Sequence, residues 1–307
     1  MYSHFNSTIE VQADERRLTA VLLALISASG GVINGYIASG FMFGIRFRGA
    51  FFFFSVSKAF GNILTCSVVL FWLVPSVFLA ENIVHNYVNM FLSQLLLFGL
   101  YVQGNVTHCF LSLNRFAAIC FVGRVKRKNS DLVSLGVFTS WIAGIIFSLL
   151  GYPECAWYFS SKSLAYHYSD DCHTTNSQLQ LYCSFVLMTI SNALNAISFL
   201  VICCGGAKTV SFACRTATRR KQRNAKMFIQ CALQSILALT DAFLVSFLHS
   251  AVFGCILAAL SSVAILALCD GLLMLLCNSD IQPCCVASRL LKKKSSVISA
   301  AASDFRI

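Results

Sequence analysis

The sequence predicts an all-α membrane protein, a seven-transmembrane helix bundle, and three observations carry that expectation. Hydrophobic residues make up 57% of the chain and charged residues only 11%, where a soluble domain has roughly a quarter of its residues charged; mean hydropathy is +0.74. Seven apolar stretches, 18–43, 51–79, 88–121, 132–152, 179–204, 226–248 and 251–277, each reach the about 20 residues that a span requires. Three prolines in all leave the backbone free to close its hydrogen bonds within each stretch, as hydrocarbon demands. The expected organisation is an extracellular segment 1–17, a membrane domain 18–277 and a cytoplasmic tail 278–307.

Orientation follows from the basic residues, which alternate by loop. The first loop holds Arg46 and Arg48, and the third holds Arg124, Lys126, Arg127 and Lys128. The fifth holds Lys208, Arg215, Arg219, Arg220, Lys221, Arg223 and Lys226, and the tail Arg289, Lys292, Lys293 and Lys294. The even loops hold Lys162 alone. The positive-inside rule therefore places the odd loops and tail in the cytoplasm and the amino terminus outside, against the local conflict of Arg16 and Arg17. The sequon Asn6-Ser7-Thr8 is then a glycosylation acceptor, whereas Asn105-Val106-Thr107 falls inside a span. The first apolar run is too long for a cleaved leader and reads as a signal anchor. The net charge of +11 is spread over these loops, so no nucleic-acid face is expected.

Most of the 15 cysteines lie within spans as small packing residues. Cys155 and Cys172 bracket the longest outer loop, and the short loop 81–87 offers no cysteine. The expected disulfide joins these two, the alternative being a pairing of one of them with Cys183. Cys284 and Cys285, beside Leu290, Leu291 and three lysines, suit palmitoylation of a short amphipathic helix after span seven; unmodified surface thiols are the other reading. No metal motif and no cofactor motif occurs, so neither is expected.

Polar residues inside the spans are the candidate functional groups, because each ionisable one costs roughly 2.5–3.5 kcal/mol or more in the bilayer. Asp241 and Asp270 stand out. Asp270, Asn34 and Asn62 fall at similar depth and are expected to form one polar cluster joining spans one, two and seven. In span three, Tyr101, Asn105, His108, Ser112 and Arg115 recur at steps of four, three, four and three, a stripe on one helix face that must meet protein or a water-filled cavity. Gln230, Gln234 and Asp241 share a face of span six. Gln94, Tyr101 and Asp241 are the candidate ligand pocket; ordinary bundle packing explains the same pattern. Two small-residue pairs, Gly31 with Gly35 and Gly40 with Gly44, are expected to admit a close neighbour.

Several features resemble a known family. Leu113-Asn114-Arg115-Phe116-Ala117-Ala118-Ile119 closes span three; Arg219-Arg220-Lys221 and then Phe228-Ile229-Gln230 lead into span six; Pro75 lies in span two, Asp241 in outer span six, and Asp270-Gly271 runs on to Asn278. In order and spacing these resemble nematode chemoreceptors of the serpentine class x, within the rhodopsin-like superfamily. The resemblance implies a G-protein-coupled receptor in the plasma membrane, with a sensory cilium as a candidate location. It implies a small external ligand, a heterotrimeric G protein as partner, and Asn114, Arg115 and Phe116 as the switch that meets that partner. Two departures stand out: Phe121-Val122-Gly123 where a proline is usual, and asparagine rather than an acid before Arg115. Gln230 or Gln234 is the expected acceptor for that arginine; the alternative is an arginine snorkelling to headgroups. Rival readings are a proton-coupled transporter, for which no internal repeat is seen, and a diverged receptor homologue that no longer signals. Intramembrane catalysis is not expected, since Cys269-Asp270-Gly271 lacks the Gly-x-Gly-Asp context.

Overall fold

The computed structural model describes residues 11–43, 50–120, 129–167, 173–205, 226, 228–241 and 253–278 of the 307. Asn6, Cys172, Cys284, Cys285, the expected tail helix and most of the basic loop residues lie outside them. Helix α1 covers Ala13–Phe43. Helix α2 runs Ala50–Val68, passes through a π-helical turn Val69–Leu73 and continues over Val74–Leu79. Helix α3 has the same construction: Asn86–Gln94, a π-helical turn Leu95–Gly99, then Leu100–Cys120. Helices α4 (Asn129–Leu149), α5 (His173–Gly205), α6 (Phe228–Asp241) and α7 (Phe253–Cys277) follow. Five of these are long and apolar enough to cross a membrane over their described residues, and the apolar parts of α4 and α6 are shorter.

Burial is inverted relative to a soluble protein. Val32, Phe71, Phe138 and Leu276 are exposed, while Asn34, Ser93, Gln94, Ser112 and Gln234 are buried. In hydrocarbon the outward face needs no polar group, and strongly polar side chains gain by turning inward toward protein. Helix α3 is the most enclosed of the five long helices, and it packs along α2, α4 and α5. Helix α1 packs on α2 and α7.

Local chemistry explains the irregular turns. Pro75 has no N–H and its ring crowds the carbonyl four residues back, at Phe71, which lies in the wider π turn. That turn carries buried Trp72 inward against Phe159, with ring centroids 6.0 Å apart and edge-to-face. Gly99 closes the π turn of α3 where it meets α4: a Cβ there would lie 2.8 Å from the Gly144 carbonyl. Close approach of α1 to its neighbours comes from Gly30, where a Cβ would meet Cys66 Sγ at 2.8 Å; Gly35 faces open space. Of the expected pair, Gly31 meets α2 only at ordinary contact, with a Cβ there 3.8 Å from Cys66 Cβ, and Gly35 does not meet it; the tight approach is at Gly30.

Between α4 and α5 lies a hairpin that the sequence reading treated only as a covering loop. Strand β1 (Tyr158–Ser160) pairs antiparallel with β2 (Ala165–His167), with Phe159 opposite Tyr166. Phe159 and Leu164 are buried in one cluster with Leu23 of α1, Leu73 of α2, Leu96 of α3 and Leu260 of α7. Burial holds the Tyr166 hydroxyl protonated well above the usual phenol range and lowers the pKa of His167.

Candidate functional site

Polar side chains form three tiers along the bundle. The outermost tier fastens the hairpin. Asn89 brackets Phe159, donating Nδ2 to its carbonyl at 2.8 Å and accepting its N–H at 3.2 Å. Arg16 donates to the carbonyls of Ser161 and Lys162 and is buried. An arginine that contradicted the loop-charge rule is therefore a structural donor tying the start of α1 to the hairpin. Gln94 also belongs to this tier: it donates to the carbonyls of Phe147 at 3.3 Å and Leu150 at 3.1 Å and accepts from Trp157 N at 3.2 Å. The amide is thus held by the end of α4 and the segment that follows, and Gln94 does not line the small cavity described below.

The middle tier holds the ion pair Lys58–Asp270, with Nζ 2.9 Å from Oδ2 and both side chains buried. Asn62 donates to Asn34 Oδ1 at 3.0 Å, and Asn34 donates to the carbonyls of Ala267 (3.0 Å) and Gly30 (2.8 Å). Helices α1, α2 and α7 are joined at this depth. A cavity of about 40 Å³ opens beside the pair, bounded by Lys58, Asn62, Tyr101, His108, Gln234 and Asp270 among others. At roughly 10–15 Å³ per water the space suits a few waters, well below the roughly 300 Å³ of a small-molecule site.

The outer three of the stripe residues that bond across to α5 and α6 are Tyr101, Asn105 and His108. Tyr101 donates to the Ala238 carbonyl at 3.1 Å, Asn105 reaches Ser184 Oγ at 3.5 Å, and His108 Nε2 lies 2.8 Å from Ser235 Oγ. Asp241, one turn beyond Ala238, is buried against the Ser262 hydroxyl of α7, and it is not among the cavity's lining residues. Of Gln94, Tyr101 and Asp241, only Tyr101 borders the cavity.

At the innermost tier Arg115 is buried and turned into the bundle, not toward headgroups. Its Nη1 donates to Cys231 Sγ of α6 at 2.8 Å, and its guanidinium carbon stands 5.1 Å from the Phe51 ring centroid of α2. Gln230, one of its expected acceptors, instead accepts from Asn278 Nδ2 at 3.2 Å, linking α6 to the end of α7. Gln234 faces Asp270 rather than the arginine. Asn114 is buried beside it.

The sequence reading missed Lys58, Cys231, Phe51 and Asn89. A lysine within the apolar run 51–79, four residues before Asn62 and so on the same helix face, is the signal that identifies Lys58. A buried network of Gln103, Ser57 and Trp141 was also missed: Gln103 donates to Thr107 at 3.1 Å and to Ser57 at 3.4 Å, and Trp141 donates to Ser57 at 3.0 Å. Among the described residues no group of three or more His, Cys, Asp or Glu stands in position to hold a metal ion.

The fold is similar to that of squid rhodopsin, whose crystal structure aligns with a TM-score of 0.71 over 92% of this chain and 87% of that one. At 12% identity the likeness is one of fold alone. No curated protein matches the chain in sequence. The family model described as serpentine-type seven-transmembrane G-protein-coupled chemoreceptor Srx matches residues 24–278, most of the chain. With a bundle of this architecture and a match of this extent, the chain belongs to the Srx family of serpentine seven-transmembrane chemoreceptors.

Proposed function

We propose that this receptor converts the binding of a small external ligand into activation of a heterotrimeric G protein through the inner ends of α3, α5 and α6. Family membership makes it a receptor, not an enzyme or a transporter. The single observation that supports the mechanism best is the α3 stripe: Tyr101, His108 and Arg115 each bond to α6, at Ala238, Ser235 and Cys231. A shift of α6 at any one of these levels is felt at the others. The ligand contacts Tyr101 and Asp241 on the outer side of the small cavity. It acts by binding one arrangement of α6 better than the other, a population shift. In the favoured arrangement Arg115 leaves Cys231, and with Asn114 and Phe116 it lines a cleft for the G protein.

In this reading the amino terminus is outside with Asn6 glycosylated, and the tail is cytoplasmic with Cys284 and Cys285 acylated. The receptor resides in the plasma membrane, and in a sensory cell the cilium is its expected location. Cys155 is not among the free thiols of the described residues, whereas Cys183 is free. That supports Cys172 over Cys183 as the partner of Cys155.

The test is expression with promiscuous G proteins against a small-molecule library, with surface display read through a tag next to Asn6. Ligand-dependent signalling by the parent and its loss in Arg115→Ala at equal display are expected. Equal signalling by both forms would show that Arg115 is not the switch.

A further inference from the structure

The two oxygens of Asp270 point to different parts of the bundle. Oδ2 pairs with Lys58 of α2 at 2.9 Å. The other side of the carboxylate is approached by the Gln234 side chain of α6. Neither the Gln234 amide nor Asp270 Oδ1 has a hydrogen-bond partner among the described residues, and both are buried. Gln234 and Asp270 both line the small polar cavity. A buried amide and a buried carboxylate oxygen are costly to leave unsatisfied, so each has reason to hold the other, directly or through a water in that cavity.

The surroundings differ on the two sides. Toward α2, the pair belongs to a block made rigid by Asn62, Asn34 and the Ala267 carbonyl. Gly271 reinforces it: a Cβ there would lie 2.8 Å from Asn34 Nδ2, so α7 is seated tightly on α1 at the residue next to Asp270. Toward α6, one amide crosses the gap at this level. We infer that Asp270 is a two-sided clasp, anchored by Lys58 to the α1, α2 and α7 block and holding α6 through Gln234 across the cavity. Release of Gln234 is the step that frees α6 from the α1, α2 and α7 block. The inference rests on the proposed movement of α6, and it adds the contact that restrains that movement.

Hydrogen–deuterium exchange of segment 228–241, measured on the full chain in lipid nanodiscs, tests the clasp without ligand or G protein. Gln234→Met should speed exchange there by about tenfold, the equivalent of one hydrogen bond to a charged group. The same substitution in the charge-free background Lys58→Met with Asp270→Leu should change it less than about twofold, because the clasp is already gone. An equal effect in both backgrounds, or no effect in the parent, overturns the proposal. The readout needs no signalling, so a failed G-protein assay and a failed clasp are separate results.

Discussion

Lys58 and Arg115, two of the buried cations among the described residues, are held in opposite ways. Lys58 meets a carboxylate, Asp270, at 2.9 Å. Arg115 meets a thiol, Cys231, and an aromatic face, Phe51. A full counter-charge in a low-dielectric interior is hard to separate once made. A thiol is a weak acceptor, and a ring face attracts a cation by about 0.5–2 kcal/mol. The contrast assigns the static joint to Lys58 and the movable one to Arg115. Part of the arginine's restraint comes from Cys231 of α6, so moving α6 loosens it.

The largest effect expected from this contrast is on folding. Lys58→Met leaves Asp270 buried and uncompensated, a loss of about 3–5 kcal/mol, and little of it should reach the surface. Lys58→Met combined with Asp270→Leu removes both charges and should recover most of the displayed protein. Surface labelling of the three forms checks this, and no recovery in the double variant would mean that Lys58 acts through something other than the pair.

Next in size is the polar joint beside it. Asn34→Ala removes the acceptor for Asn62 and the donor to Ala267, so thermal unfolding in nanodiscs should show a loss of about 1–2 kcal/mol. An unchanged melting temperature would place the strength of the α1, α2 and α7 block in apolar packing alone. Asn89→Ala releases both bonds that bracket Phe159. It should raise proteolysis in 158–167 while costing roughly 1 kcal/mol of global stability.

The smallest effect is a pH dependence of the hairpin. His167 is shifted below its ordinary value by burial. Protonation therefore favours the unfolded form, so its contribution is fully present above about pH 6.5 and declines as pH falls from there toward the lowered folded value. The ring is partly exposed, and the melting temperature should fall by no more than about 2 °C on acidification. His167→Gln should flatten that slope.

The helical bundle and the α3 stripe were legible because both are periodic signals, and a polar residue in a span has few places to go. The Asn34, Asn62 and Asp270 cluster was legible for the same reason, with Asn34 and Asn62 bonded and Asp270 one turn from the Ala267 carbonyl. Lys58 carries the same signal as the acids: the rule that flags Asp270 applies equally to a lysine seven residues inside an apolar run. The hydrogen-bond partners of Gln94 were not legible because depth and polarity do not reveal which neighbour a side chain meets. The π turn immediately after Gln94, and Trp157 in the segment before the hairpin, decide that, and neither follows from periodicity. Cys231 was unreadable as an arginine partner since thiols in spans are usually packing residues. Phe51, first of four phenylalanines, carries no local mark of which ring lies under the guanidinium.

On the proposed mechanism, release of Arg115 from Cys231 activates the receptor. The direct measurement is ligand-free nucleotide exchange on a panel of G proteins, in membranes carrying equal surface amounts of the parent, Cys231→Ala and Arg115→Ala. With a bond worth roughly 1 kcal/mol removed, Cys231→Ala should raise basal exchange about threefold to tenfold, while Arg115→Ala abolishes it. Basal exchange that is the same in all three would contradict the account.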